Sequence, residues 1–163
     1  MDALPLLKVG AMMRKDGTVT KMPWPLPPMA TTHGNAWVVE STPTKLRVRE
    51  QDINWNRVPV TFDQTLTISQ PGRLDSVTRG TMYGVPTPTF KRSYDILDAG
   101  KGWIELRGLG HPKEATSSVR TDGRSFSVDF VGPFGVHDTK TLPIILPGQP
   151  GYVAPPADWL PRS

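Results

Sequence analysis

An all-β fold, an antiparallel β-sandwich or small β-barrel with extended proline-rich N- and C-terminal arms, is predicted by three features of the sequence. Short runs of β-branched and aromatic residues alternate with polar ones, the side-chain period of a strand with one face buried. Glycine (15) and proline (18) punctuate those runs, so that almost no window sustains a helical period. Two apolar, proline-rich stretches, residues 21–29 and 147–163, stand outside the alternation.

The elements follow in order. AWVVE (36–40) is the first expected strand, followed by KLRVRE (45–50), where Leu46 and Val48 face one way and Lys45, Arg47 and Arg49 the other. RVPVTF (57–62) and TLTIS (65–69) keep Val58, Val60, Phe62, Leu66 and Ile68 on even positions across an Asp63-Gln64 interruption. Pro59 lacks an N–H to give to a ladder, which predicts a sheet edge or a bulge there. SYDIL (93–97), GWIELRG (102–108) and TLPIIL (141–146) are further strands, separated by turn signals at Pro71-Gly72, Gly84, Pro86, Pro88, Gly100, Gly102 and Gly132-Pro133. HPKEATSS (111–118) is the one stretch expected to hold a helical turn, begun by Pro112.

SSVRTDGRSFSVDFVG (117–132) reads as a β-hairpin. Phe126, Val128 and Phe130 alternate with Ser125, Ser127 and Asp129, and Asp122-Gly123 supplies residues that tolerate the backbone of a tight turn. The chain then divides into an N-terminal segment with its proline-rich stretch (1–35), a β core (36–146) and a C-terminal arm (147–163).

KMPWPLPPM (21–29) cannot form a helix or a central strand, because proline fixes φ and removes donors. Yet Met22, Trp24, Leu26 and Met29 are costly to leave in water, and a stiffened chain loses less entropy when it docks. The C-terminal run repeats the design, with Tyr152, Trp159 and Leu160 among Pro150, Pro155, Pro156 and Pro161. These seven residues are the expected partner contacts. Pro25-Leu26-Pro27-Pro28 satisfies PxxP, but Met22 and Ala30 occupy the places where ligands of that kind carry a basic residue.

Charge and composition narrow the function. Lys and Arg number 19 against 15 for Asp and Glu, a net charge of +4, and three of the surplus charges fall in the first fifty residues. So small an excess argues against a nucleic-acid binder, which relies on a clustered basic face. KLRVRE, the most basic strand, reads as a wet face or a charge-defended edge. The absence of cysteine removes disulfides, thiolate metal sites and thiol nucleophiles. No apolar run reaches the length of a bilayer span, and Asp2, Pro5 and Lys8 do not suit a signal peptide.

Catalytic patterns are weak. His33, His111 and His137 stand at no ligand spacing, so neither a metal nor a cofactor is expected. His137-Asp138 lacks a nucleophile elbow, Asp98-Ala99-Gly100 lacks the hydroxyl that an aspartic peptidase loop requires, and Gly100-x-Gly102 lacks a dinucleotide fingerprint. No catalytic residue is assigned. The expectation is therefore a non-enzymatic structural or assembly protein, residing in a virion or the cytoplasm. Its arms would lace neighbouring protein subunits into an oligomer, such as a capsid-decorating, head-to-tail or tail component of a virus or phage. Two alternatives are a β-rich hydrolase using scattered carboxylates such as Asp95, Asp98, Glu105 and Asp129, and a carbohydrate- or peptide-binding module stacking its ligand on Trp37, Trp55 or Trp103.

Overall fold

A computed structural model describes residues 3–16, 32–54, 57–108, 116–132 and 137–160. Among the described residues there are eleven strands: β1 (Met12–Asp16), β2 (Thr32–Thr42), β3 (Lys45–Asn54), β4 (Pro59–Gln70), β5 (Arg73–Met82), β6 (Val85–Pro86), β7 (Phe90–Gly100), β8 (Trp103–Gly108), β9 (Thr116–Thr121), β10 (Ser125–Val131) and β11 (His137–Ile145). All pairings are antiparallel. Each strand pairs with its neighbour in sequence, except that β5 pairs with both β7 and the two-residue stub β6. Pairing of β1 with β11 joins the two ends of the meander, so ten strands close into an up-and-down barrel. The all-β, antiparallel character expected from the sequence is thus what the described residues form. The closing contact is short, made by the residue pairs Met12 with Ile145 and Met13 with Ile144.

Alternation explains each wall. Leu46 and Val48 of β3, Val60, Gln64 and Leu66 of β4, Leu74, Ser76 and Thr78 of β5, and Ile104 and Leu106 of β8 point inward and are buried. Val119 of β9, Phe126 and Val128 of β10 and Leu142 of β11 complete the ring. RVPVTF and TLTIS merge into one strand, in which Asp63 faces out and Gln64 faces in, opposite Val48. Pro59 begins that strand, where no preceding ladder needs its N–H, and its carbonyl accepts a hydrogen bond from the Tyr83 N–H (3.2 Å). Register shifts at Val38/Glu40, Thr67/Gln70 and Ile96/Asp98 mark bulges that help the sheet curve.

The two ends of the barrel differ. One carries the short turns Pro43-Thr44, Pro71-Gly72, Lys101-Gly102 and Asp122–Arg124; the other carries every long connection, over residues 17–31, 55–58, 83–89, 109–115 and 132–136. At the hairpin between β9 and β10, Asp122 Oδ1 accepts the N–H groups of Arg124 and Ser125 (2.8 Å each), and Gly123 has φ +86°. The N-terminal segment closes the short-turn end: Leu4 and Leu7 are buried there, with the Leu4 N–H donating to the Pro43 carbonyl (2.8 Å) and the Leu7 N–H to Ser41 Oγ (2.9 Å).

Strand β1 lies inside what the sequence divides off as an N-terminal segment. Its pairing with β2 and β11 makes residues 17–31 a connection between adjacent strands, attached at the long-connection end. The helical turn expected over 111–118 lies outside the described residues up to 115, and Thr116–Ser118 are strand.

Candidate functional site

The C-terminal run folds onto the outside of its own barrel. Gln149 organises the departure from β11, its Oε1 accepting the Leu146 N–H (2.8 Å). Tyr152 then donates its hydroxyl to the Gly10 carbonyl (2.8 Å), the Gly151 carbonyl accepts from Arg14 (2.6 Å) and the Val153 carbonyl accepts from Trp37 Nε1 (2.8 Å). Trp159 meets Trp37 edge to face at 5.7 Å, and the Arg49 guanidinium lies 4.7 Å from the Trp159 ring centre. Met12 and Trp37 face outward from their strands yet are buried, because this segment covers them. Burial of such side chains contributes about 2 kcal/mol each. Of the expected partner contacts, Tyr152, Trp159 and Leu160 are thus half-buried against the chain itself, and Met22, Trp24, Leu26 and Met29 lie outside the described residues.

Inside the barrel, toward the long-connection end, sits a charged trio. Lys15 Nζ on β1 reaches Glu50 Oε2 at 2.8 Å and Asp52 Oδ2 at 3.4 Å on β3, passing over β2. The crossing is possible because β2 places Gly34 between them; a Cβ there would overlap Asp52 Oδ1. The Asp52 side chain is 0% exposed, and its Oδ1 has no hydrogen-bond partner. Burial and, next, the Glu50 charge push the Asp52 carboxyl up to about 8, with Lys15 opposing. Burial pulls Lys15 down, but Glu50 and Asp52 together hold it above its ordinary value. A raised carboxyl beside a second one is what an acid–base pair requires. Here, however, Gly34 and Lys15 seal the pair among the described residues, which suits an internal ion cluster rather than a substrate site.

The scattered carboxylates do not converge into a cluster of that kind. Asp95 pairs with Arg107 at 3.8 Å, Asp98 Oδ1 accepts its neighbour's N–H, and Asp98 stands opposite Glu105 on the outer wall. Asp129 accepts from His137 Nε2 (2.6 Å) and from the Thr139 hydroxyl; burial pulls its carboxyl up, but these bonds hold it below the usual range. Among the described residues no group of three or more His, Asp or Glu side chains is arranged to hold a metal. The tryptophans divide as well: Trp37 is buried, Trp55 lies outside the described residues, and Trp103 lies against Gly100 with Arg120 6.0 Å from its ring. A shallow cavity of about 310 Å³ adjoins Trp103, lined also by Arg120, Asp122 and Ser125.

One quadrant of the long-connection end is apolar and exposed. Tyr83 (68%), Val85 (64%) and Met82 (42%) lie together at the β5–β6 hairpin, and Ile53 (54%) and Phe90 (61%) stand at the ends of β3 and β7. The register explains the grouping. Met82 pairs with both Val85 and Val60, Ile53 pairs with Pro59, and Tyr83 bonds to Pro59 across the gap. Tyr83 has φ +52°, an uncommon backbone for a bulky residue, which turns β5 into β6 and holds the ring at the tip. Sequence reasoning missed this rim, since its residues are spread over three connections that only the barrel brings together.

Fold and surface together define an antiparallel up-and-down barrel with an apolar rim at the end that carries its long connections. No known protein family, curated protein or solved structure matches the chain. No helix among the described residues is long and apolar enough to cross a membrane.

Proposed function

We propose that this protein is a non-enzymatic structural or assembly component that docks on a neighbouring protein through the long-connection end of its barrel. The observation that carries the reading is the exposure of Met82, Tyr83 and Val85, three large apolar side chains that the β5–β6 hairpin holds together at this end, with Ile53 and Phe90 exposed at the ends of β3 and β7. Exposed apolar side chains grouped at one end mark interaction sites, and aromatic residues and methionine are the types enriched in interface centres. Two further features support it. The sequence between β1 and β2 holds the proline-rich stretch with Met22, Trp24, Leu26 and Met29, apolar side chains that are costly to leave in water. The C-terminal segment is already engaged with its own wall, so Tyr152, Trp159 and Leu160 serve a partner only through their outer faces. A subunit of a large particle, with a virus or phage virion as the favoured kind, is the setting this design suits.

The test is the mass of the native species by light scattering over a range of concentrations, for the wild type and for Tyr83→Asp combined with Val85→Asp. A multimer or stable heterocomplex lost in the double variant supports the reading. A wild-type monomer that retains no partner at any concentration overturns it.

A further inference from the structure

On the outer wall, at the short-turn end, neighbouring strands present one row of side chains. Trp103 of β8 lies opposite Arg120 of β9, Arg120 opposite Ser127 of β10, and Ser127 opposite Thr141 of β11. Alternation turns all four outward, since Ile104, Val119, Phe126 and Leu142 beside them are buried. Gly100 of β7, opposite Trp103, makes room for the indole; a Cβ there would stand 2.6 Å from Cε2 of the ring. The Arg120 guanidinium lies 6.0 Å from the ring centre, at the outer limit of a cation–π contact. This row and the turns at Lys101 and Asp122 bound the hollow of about 310 Å³.

The polar groups of this hollow are not engaged with one another. Lys101 and Arg120 are exposed, and neither side chain makes a hydrogen bond or ion pair with a described residue. Asp122 turns its Oδ1 to the N–H groups of Arg124 and Ser125, which hold its carboxyl below the usual range. The hydroxyls of Ser127 and Thr141 share one hydrogen bond (3.1 Å) in which either can donate, so each keeps capacity for a ligand. The hollow of about 460 Å³ beside Trp159 differs: its Arg47 and Arg49 are held by Asp63, and its Glu40 by Lys45. Lys8 and Arg124, exposed cations likewise without an ion pair among the described residues, line neither hollow.

We infer that the hollow beside Trp103 binds an acidic saccharide, a sugar ring that carries a carboxylate. The apolar C–H face of the ring would lie on Trp103, the carboxylate would meet Arg120 and Lys101, and the hydroxyls would bond to Ser127 and Asp122. One aromatic surface with a few convergent polar groups suits a small ligand. A sugar ring is apolar on its face and polar all round its edge, which matches an indole set among a cation, a carboxylate and a hydroxyl. The acidic kind is favoured because Lys101 and Arg120 are unmatched and arginine meets a carboxylate in two parallel bonds. Nucleic acid fits less well, since two cations beside an ionised Asp122 give too little positive charge to track a phosphate chain. The site lies away from the apolar rim, at the other end of the barrel, and does not rest on the docking role.

The full-length, isotope-labelled protein is titrated by nuclear magnetic resonance with trigalacturonate, its methyl ester, sialyllactose and single-stranded oligothymidine. The indole N–H signal of Trp103, identified by its loss in Trp103→Phe, is expected to move with either acidic sugar and far less with the neutral ester. Added salt should weaken the acidic sugars, and Lys101→Ala with Arg120→Ala should lower their affinity roughly tenfold or more. Both substitutions fall on exposed side chains, and an unchanged thermal melt confirms that the variant is folded. Binding of neither acidic sugar, equal binding of the ester, preference for oligothymidine, or affinity undiminished in the double variant overturns the inference. Tyr83→Asp with Val85→Asp, which tests docking on a neighbour, is expected to leave sugar binding unchanged, so the two readings fail separately. A loss of sugar binding in that folded variant would place the ligand at the rim and overturn the site at Trp103.

Discussion

Lys15 and Glu50 meet at 2.8 Å inside the barrel although a whole strand, β2, lies between the strands that carry them. Gly34 lets them do so, and the result is a buried cation facing two carboxyls, of which Asp52 is the deeper.

Stability should therefore depend on pH in a definite direction. The Asp52 carboxyl sits at about 8 in the folded protein against an ordinary 3.8, so between those values the folded state keeps a proton that the unfolded chain has released. A carboxyl raised by folding stabilises fully below the lower value and loses that contribution as pH rises through the upper one. Its immediate neighbours on the inner face, Gly34 and Ala36 of β2 and Val60 and Phe62 of β4, are uncharged, so Lys15 and Glu50 set the response. The melting temperature is expected to fall steadily from about pH 5 to pH 8 and then level off, with a slope approaching roughly 1.4 kcal/mol per pH unit. Asp52→Asn, which resembles the protonated form, should remove that slope; a slope unchanged in Asp52→Asn would refute the assignment.

Removing the cation is a separate matter. Lys15→Met leaves Glu50 buried without its partner and is expected to cost about 3–5 kcal/mol, measured by urea unfolding near neutral pH. A loss below about 1 kcal/mol would mean that water reaches Glu50 and that the cluster is not sealed.

The C-terminal segment should behave as part of the domain. Trp159→Ala removes the edge-to-face contact with Trp37 and the seat of the Arg49 guanidinium, and is expected to lower stability by about 1–3 kcal/mol. Acrylamide quenching of the remaining tryptophan fluorescence should increase, because Trp37 loses its cover. Unaltered quenching and melting would show that the segment does not rest on the wall in solution.

Two turn glycines allow a graded comparison. Gly123 has φ +86° with open space around it, so Gly123→Ala or Gly123→Val carries only the backbone penalty, about 1–2 kcal/mol. Gly102 has φ +79°, and a Cβ there would stand 2.7 Å from the Thr121 carbonyl oxygen. Gly102→Ala is therefore expected to lower the melting temperature more than Gly123→Ala, and the reverse order would contradict the register of β8 with β9.

What could be read from the sequence follows from where apolar side chains fall. KLRVRE, SFSVDF and GWIELRG showed their strands because one face of each meets the apolar part of the core. Strand β5 was silent: its inward positions after Leu74 are Ser76, Thr78 and Gly80, so RLDSVTRGTM has no apolar alternation to detect. Strand β1 was hidden for the opposite reason. Met12 and Met13 are both buried, one beneath the C-terminal segment and one in the lumen, and two buried faces erase the period. The ion trio was half legible. Leu46 and Val48 set a parity that carries Glu50 and Asp52 inward, but nothing in the sequence placed Lys15 beside them. The rim was illegible, because exposure of a valine or a tyrosine depends on the neighbouring connection, which sequence spacing does not report.

The unequal ends of the barrel also divide the chain by its tolerance of change. A residue inserted at Pro43-Thr44, Pro71-Gly72 or Lys101-Gly102 shifts the pairing of a hairpin by one position and turns its buried face outward. The same insertion between β1 and β2, or between β8 and β9, only lengthens a connection. One end thus acts as the template that fixes the architecture, and the other as a set of interchangeable attachments, free to be rewritten for a new neighbour while the barrel beneath them stays the same.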